Sequence, residues 1–269
     1  MFLTITKNYS IMNKSLKTLT AALLLALPCA VYAQPDSNDI PEITNSSDSV
    51  ETFTVNGVSF RMIRVDAGTF TMGDPGLIKH SPFHEVTLST YYIGETEVTQ
   101  QLWYAVLESN PSYFKDPQKP VEQVTWDDCQ HFIRILNILT GRQFRLPTEA
   151  EWEFAARGGN KSKGYKYAGA NNVYSVGWTE DYTTHPVAQK KPNELGIYDM
   201  SGNVSEWCQD WSGPFSKKPQ TNPTGPSTGS GRIFRGGSWY DVYNYCQVSY
   251  RLARSPENSR YTVGFRLAL

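Results

Sequence analysis

One stretch, Asn193–Trp211 (NELGIYDMSGNVSEWCQDW), constrains the fold more than any other. Gly196 and Gly202 permit backbone turns that other residues resist. Trp207 and Trp211 bring large apolar area, and Asp199, Asn203, Glu206 and Asp210 bring oxygen ligands. A surface loop has no need of the tryptophans, and a plain core strand has no need of the acids. The combination predicts a folded loop that chelates a hard cation and anchors a core, with Trp207 and Trp211 as the anchors.

The rest of the chain reads as short strands, short helices and long loops. Phe53–Val55 and Val58–Met62 alternate around Asn56-Gly57, the signature of a tight β-hairpin. Thr69–Met72, His84–Leu88 and Tyr91–Ile93 are strand-like. His80 and His84 stand four apart, but Pro82 between them argues against a helical metal pair and for a loop. Thr99 caps a helix running to about Glu108. Thr125 caps a second, whose stripe of Trp126, Cys129, Phe132, Ile133, Leu136 and Leu139 ends at Gly141. On that stripe Cys129 reads as a small buried hydrophobe. Thr148 and Glu151 form a capping-box pattern for a third helix that carries Trp152 inward. Ile233–Trp239 and Gly264–Ala268 return to strand. One domain over 51–269 is the simplest division.

Lys14 and Lys17, the apolar run Leu19–Leu27 and Val31-Tyr-Ala33 resemble a secretory signal peptide over 1–33, cleaved after Ala33. The run is too short for a transmembrane span. Residues 34–50 (QPDSNDIPEITNSSDSV) are polar and acidic and predict a disordered linker. Export to the periplasm or beyond follows. Charge is balanced, 25 basic against 26 acidic residues, so the basic stripe that nucleic-acid binding needs is missing. After cleavage Cys129, Cys208 and Cys246 remain, for which one disulfide and one free thiol is the simplest arithmetic in an oxidising compartment.

Several motifs then occur in a fixed order: Gly68-Thr-Phe-Thr-Met-Gly73, Glu97-Val-Thr99, Pro120–Trp126, Arg145–Ala155, the opening stretch, Arg235-Gly-Gly-Ser-Trp239 and Gly264-Phe-Arg266. Together they resemble the formylglycine-generating enzyme (sulfatase-modifying factor) family, from about Phe53 to Leu269. The resemblance implies an α+β, C-type-lectin-like domain with little regular secondary structure.

The resemblance also implies a structural calcium ion, held by Asp199, the carbonyls of Gly202 and Val204, and Glu206. Calcium takes six to eight hard oxygens in flexible geometry, which two carboxylates across a glycine turn help supply. In the oxidising members two late cysteines bind copper(I), which selects soft thiolates. The second falls on Cys246, with Ser238 beside it as the other residue of the catalytic site. The first falls on Asp241, a hard ligand. Ser205 stands where those members place a tryptophan, and Val242 where they place a histidine. Copper is therefore not expected, and a Cys208–Cys246 disulfide is the alternative role for Cys246.

The resulting expectation is an exported, monomeric scaffold or binding module, stabilised by calcium, with a protein or glycan partner. The alternative is an oxidase converting a sulfatase cysteine to formylglycine, with the sulfatase as partner.

Overall fold

The computed structural model describes residues 49–74 and 83–269, all within one compact unit spanning Ile40–Leu269. The signal-peptide reading, His80 and nearly all of the linker reading lie outside the described residues. In chain order the strands and helices are β1 (Val50–Val55), β2 (Val58–Val65), β3 (Gly68–Met72), β4 (His84–Leu88) and β5 (Tyr91–Gly94), then α1 (Gln100–Leu107), α2 (Trp126–Thr140) and α3 (Glu149–Ala156). They continue with β6 (Ser205–Trp211), β7 (Gln220–Thr221), β8 (Arg232–Arg235), β9 (Arg251–Arg254) and β10 (Val263–Gly264). The first strand begins at Val50, paired with Ile63, one residue ahead of the expected boundary.

Local chemistry accounts for each turn and cap. Asn56 (φ 47°) and Gly57 (φ 79°) both occupy the left-handed region, so the β1–β2 connection has the twist that suits a two-residue hairpin. Thr99, Thr125 and Thr148 each accept a backbone N–H at the start of a helix. Thr125 with Asp128 and Thr148 with Glu151 close reciprocal capping boxes. The α2 helix stops at Gly141, whose φ of 66° forms the left-handed C-cap.

Three small sheets organise the domain: β1-β2-β5, β3-β4-β7 and β10-β6-β8-β9. Two apolar clusters fill the space between them and the helices. One joins α1 and α2 to Phe53, Trp207 and Phe265. The other joins α3 to Val86, Ile93, Met200 and Cys208. Trp207 is fully buried and donates its indole N–H to Val124 O at 3.1 Å. Trp211 does not share that role. It is only half-buried and packs under the Arg232 guanidinium, 3.6 Å from its ring centroid. A register shift in the β6–β8 pairing separates it from Trp207, and it pairs with Arg232 at the end of the strand. Cys129 is buried in the α2 cluster as expected, and burial pushes its thiol well up.

Candidate functional site

The opening stretch folds back on itself before it becomes β6. Asp199 (φ 59°), Gly202 (φ 92°) and Asn203 (φ 60°) take left-handed conformations, which Asp, Asn and Gly tolerate best. At Gly202 no side chain fits, because a Cβ would fall on the Trp178 carbonyl oxygen. Asn203 then ties three segments together. Its Oδ1 accepts the His185 N–H at 2.9 Å, and its Nδ2 donates to Glu97 Oε2 at 2.9 Å and to His185 O at 3.2 Å. Glu97 Oε1 accepts the Val204 N–H at 3.1 Å.

Glu206 follows on β6, beside Gly264 of the parallel strand β10. That register brings the Gly264-Phe-Arg266 motif to it. Arg266 forks onto Glu206, with Nε 2.5 Å from Oε2 and Nη2 2.6 Å from Oε1. Trp152 Nε1 donates to the same Oε2 at 2.7 Å. The guanidinium also donates to Gly94 O and Tyr198 O, both at 2.9 Å. All three side chains are fully buried.

This geometry revises the expected calcium ligand set. Glu206 commits both oxygens to Arg266 and Trp152. Asp199 has Oδ2 accepting the Ala188 N–H at 2.7 Å, while its buried Oδ1 has no partner among the described residues. Burial, chiefly, raises its pKa to about 6. Burial and then the neighbouring Asp199 and Glu206 charges also push Glu97 well up. Three carboxyl groups thus face one guanidinium. The four-residue set does not fit a cation as a unit. Asp199 Oδ1 is the carboxylate oxygen of the set left open, and Glu206 acts as the internal counterion of Arg266.

The second predicted group, Ser238, Asp241 and Cys246, is brought together. Asp241 Oδ2 accepts from Ser238 N at 2.9 Å and from Ser238 Oγ at 2.6 Å. Its carbonyl accepts from Glu180 N and Thr179 Oγ1. Asp241 therefore closes the turn leading into the 3-10 turn Tyr243–Cys246. Cys246 is fully buried, packed with Tyr167, Val173 and Val176. A Cβ on Gly237 would come within 2.7 Å of its Sγ, which explains the glycine there. Burial, reinforced by Asp241 and Glu180, pushes the Cys246 thiol up to about 12. Copper(I) does not fit this donor set. It offers one protonated, enclosed thiol and a carboxylate already occupied by Ser238.

The expected Cys208–Cys246 disulfide is not formed. Cys129, Cys208 and Cys246 are all free and buried. Cys208 lies on β6 in the cluster around α3, whereas Cys246 lies in the separate pocket beside Tyr167. Each sulfur is enclosed by its own apolar neighbours, so each serves as packing.

The outer side of this corner is aromatic. Tyr240, Tyr243, Tyr245 and Tyr261 are exposed, as are Tyr113, Tyr174 and Tyr182. Ring contacts run from Tyr113 through Phe114 to Trp239 and from Trp239 to Tyr240 and Tyr261, with centroids 4.9–5.9 Å apart. Tyr174 OH donates to Glu180, whose backbone N–H binds Asp241 O. Asp181 N donates to Trp239 O at 2.8 Å, which sets the 90%-exposed Tyr182 beside the same corner.

Small mixed sheets, few helices and long ordered loops tied by buried polar residues define a loop-rich α+β domain of the C-type-lectin-like, formylglycine-generating-enzyme type. The family model described as the sulfatase-modifying factor enzyme 1-like domain matches residues 47–269, and the chain belongs to that family. It is 34% identical over 246 residues to chaperone protein LppX of Paenibacillus barcinonensis, covering 72% of this chain and 83% of that one. It is 37% identical over 172 residues to a formylglycine-generating enzyme of Streptomyces coelicolor, covering 56% of this chain and 53% of the enzyme. The match thus spans about half the length of that enzyme. Among solved structures it resembles Treponema denticola variable protein 1, with a TM-score of 0.77 and 34% identity, over 82% of this chain and 99% of that one. Among the described residues, no helix is long and apolar enough to cross a membrane.

Proposed function

We propose that this chain is a non-catalytic binding module of its family, exported by residues 1–33, which grips a protein partner through the tyrosine-rich corner around Tyr240, Tyr243, Tyr245 and Tyr261. The observation that carries this reading is the contrast within one corner. The Cys246 thiol and the Ser238 hydroxyl at the family's reactive positions are enclosed, while Asp241 is partly exposed and Val242 and the tyrosine rings around it are exposed. Tyrosine supplies large amphipathic contact area at low conformational cost, which is why recognition surfaces favour it. The similarity to a protein named as a chaperone, which spans most of both chains, agrees with a protein-handling role. A calcium ion bound through Asp199 would rigidify the loop that supports this corner, through the Asn203–His185 and Asn203–Trp178 bonds.

The test compares the wild type with a Tyr240→Ser, Tyr243→Ser, Tyr245→Ser variant in crosslinking and mass spectrometry against the secreted proteins of the source cell, an exported sulfatase among them. Loss of defined crosslinked partners in the variant supports the proposal. Identical partner sets overturn it, as does transfer of the binding to a glycan array. In parallel, copper(I)-loaded protein is given a cysteine-containing sulfatase peptide. Conversion of the thiol to an aldehyde, lost in Cys246→Ser, would restore the oxidase reading.

A further inference from the structure

A second cavity, of about 440 Å³, uses none of the aromatic corner. It is formed where β4, the end of β6 and the start of α3 meet the loop 213–226. Met72, His84, Asp210, Phe215 and Arg251 are among its lining residues.

Two polar side chains in its wall lack what burial demands. His84 is 6% exposed, and among the described residues neither ring nitrogen has a hydrogen-bond partner. Buried polar atoms in folded proteins are overwhelmingly paired, so an imidazole with two free nitrogens on a cavity wall points to a ligand. Its ring centroid lies 5.3 Å from that of Phe215.

Asp210 is the other. Its Oδ2 accepts the Glu149 N–H at 2.8 Å, but no cationic side chain among the described residues forms an ion pair with it. The charged groups near it are Glu149 and Glu151 on α3, Arg251 on β9 and Arg232 on β8, none of the cations close enough to form an ion pair with it, with His84 across the cavity. Arg251 is already committed, with Nε 2.7 Å and Nη2 2.6 Å from the two Glu149 oxygens. Arg235 lies 3.6 Å from the same Glu149 carboxylate and also pairs with Glu153. Burial, then Glu149, raises the Asp210 pKa to about 7. The loop closes over Asp210 at Gly225 (φ 72°), where a Cβ would stand 2.9 Å from the Asp210 Cβ.

We infer that this cavity binds a small organic cation, a primary ammonium on an apolar body, with Asp210 as counterion, His84 as hydrogen-bond acceptor and Phe215 against the apolar part. An anionic ligand would meet Asp210 and Glu149. A neutral ligand would leave Asp210 without a countercharge. An ammonium suits both groups, since a carboxylate without an ion-pair partner and a neutral imidazole nitrogen each accept its N–H.

The probes are benzylamine, benzyl alcohol and benzoate, titrated calorimetrically into the full-chain protein near pH 8, where Asp210 is ionised. Benzylamine should bind about tenfold or more tighter than benzyl alcohol, with benzoate weakest. Asp210→Asn should erase that preference. On wild-type protein, moving from about pH 8 to about pH 5.5 should weaken benzylamine about tenfold and leave benzyl alcohol unchanged, because Asp210 takes up a proton. Equal affinities for amine and alcohol, or no amine binding, would overturn the inference. An unchanged preference in Asp210→Asn would do the same. Should that variant fail to fold, the wild-type order of benzylamine, benzyl alcohol and benzoate near pH 8 decides.

Discussion

Arg266 and Glu206 meet as a closed fork inside the domain, at 2.5 and 2.6 Å, with neither side chain exposed to solvent. The fork joins the segment just after β10 to the stretch on which the fold is organised, and Trp152 joins α3 to the same carboxylate. Removing one partner leaves the other buried without its directly paired counterion. Glu206→Ala should therefore cost about 3–5 kcal/mol, as measured by urea unfolding. A cost below about 1 kcal/mol would mean that the fork contributes little.

The same fork decides how a calcium ion would be held. With Glu206 committed, Asp199 is the side-chain ligand. Calcium should raise the melting temperature, and chelation should reverse the rise. Asp199→Ala should abolish the calcium response. Glu206→Ala should lower stability by the same amount with and without calcium. Because Asp199 titrates at about 6, the calcium-induced shift should grow as pH rises through 6. A melting temperature indifferent to calcium at pH 8 would make the loop an ion-free turn.

Asp210 gives the protein a pH signature of the opposite sense from that of a salt-bridged acid. Its folded pKa, about 7, lies above its unfolded value of about 3.9. Folded protein therefore holds the proton more tightly than unfolded protein does. The resulting stabilisation is full below about pH 4 and is lost as pH rises through 7. Asp210→Asn lacks this term and keeps an acceptor for the Glu149 N–H. Its stability relative to wild type should rise between about pH 4 and pH 8, read from urea midpoints at each pH. A flat difference across that range would refute the elevated pKa.

Much of this fold was legible because its signals are local. Asn56-Gly57, the three threonine caps and Gly141 act through neighbouring backbone, and each produced the element expected of it. The ordered motifs carried the family, but the roles of Glu206 and Arg266 depend on a pairing across sixty residues, 2.5 Å wide. Only the parallel β10–β6 register reveals it. A carboxylate in sequence reads equally as metal ligand or ion-pair partner, and the deciding guanidinium lies just beyond the last strand. The Asp210 and His84 cavity was illegible for the same reason. Its walls come from β4, α3, β6 and β9, and no window of sequence contains two of its unpaired groups. The disulfide reading failed because cysteine arithmetic counts thiols without locating them. Cys208 and Cys246 occupy different apolar clusters.

Those thiols give a direct count. Cys129, Cys208 and Cys246 are free, buried and held protonated by burial. Reactivity needs the thiolate and access to it, and both are denied in the folded state. Protein lacking residues 1–33 should therefore react negligibly with a thiol-specific disulfide reagent when native. Without reductant it should release all three thiols on unfolding. Cys246 should react no faster than Cys129 in the native protein, although it occupies the position where the oxidising relatives place a copper ligand. Finding one thiol instead of three in the unfolded protein would mean that a disulfide forms after all. Selective native alkylation of Cys246 would mean that the corner beneath Tyr245 opens to solvent, and with it the case for enclosed packing at the family's reactive position would fall.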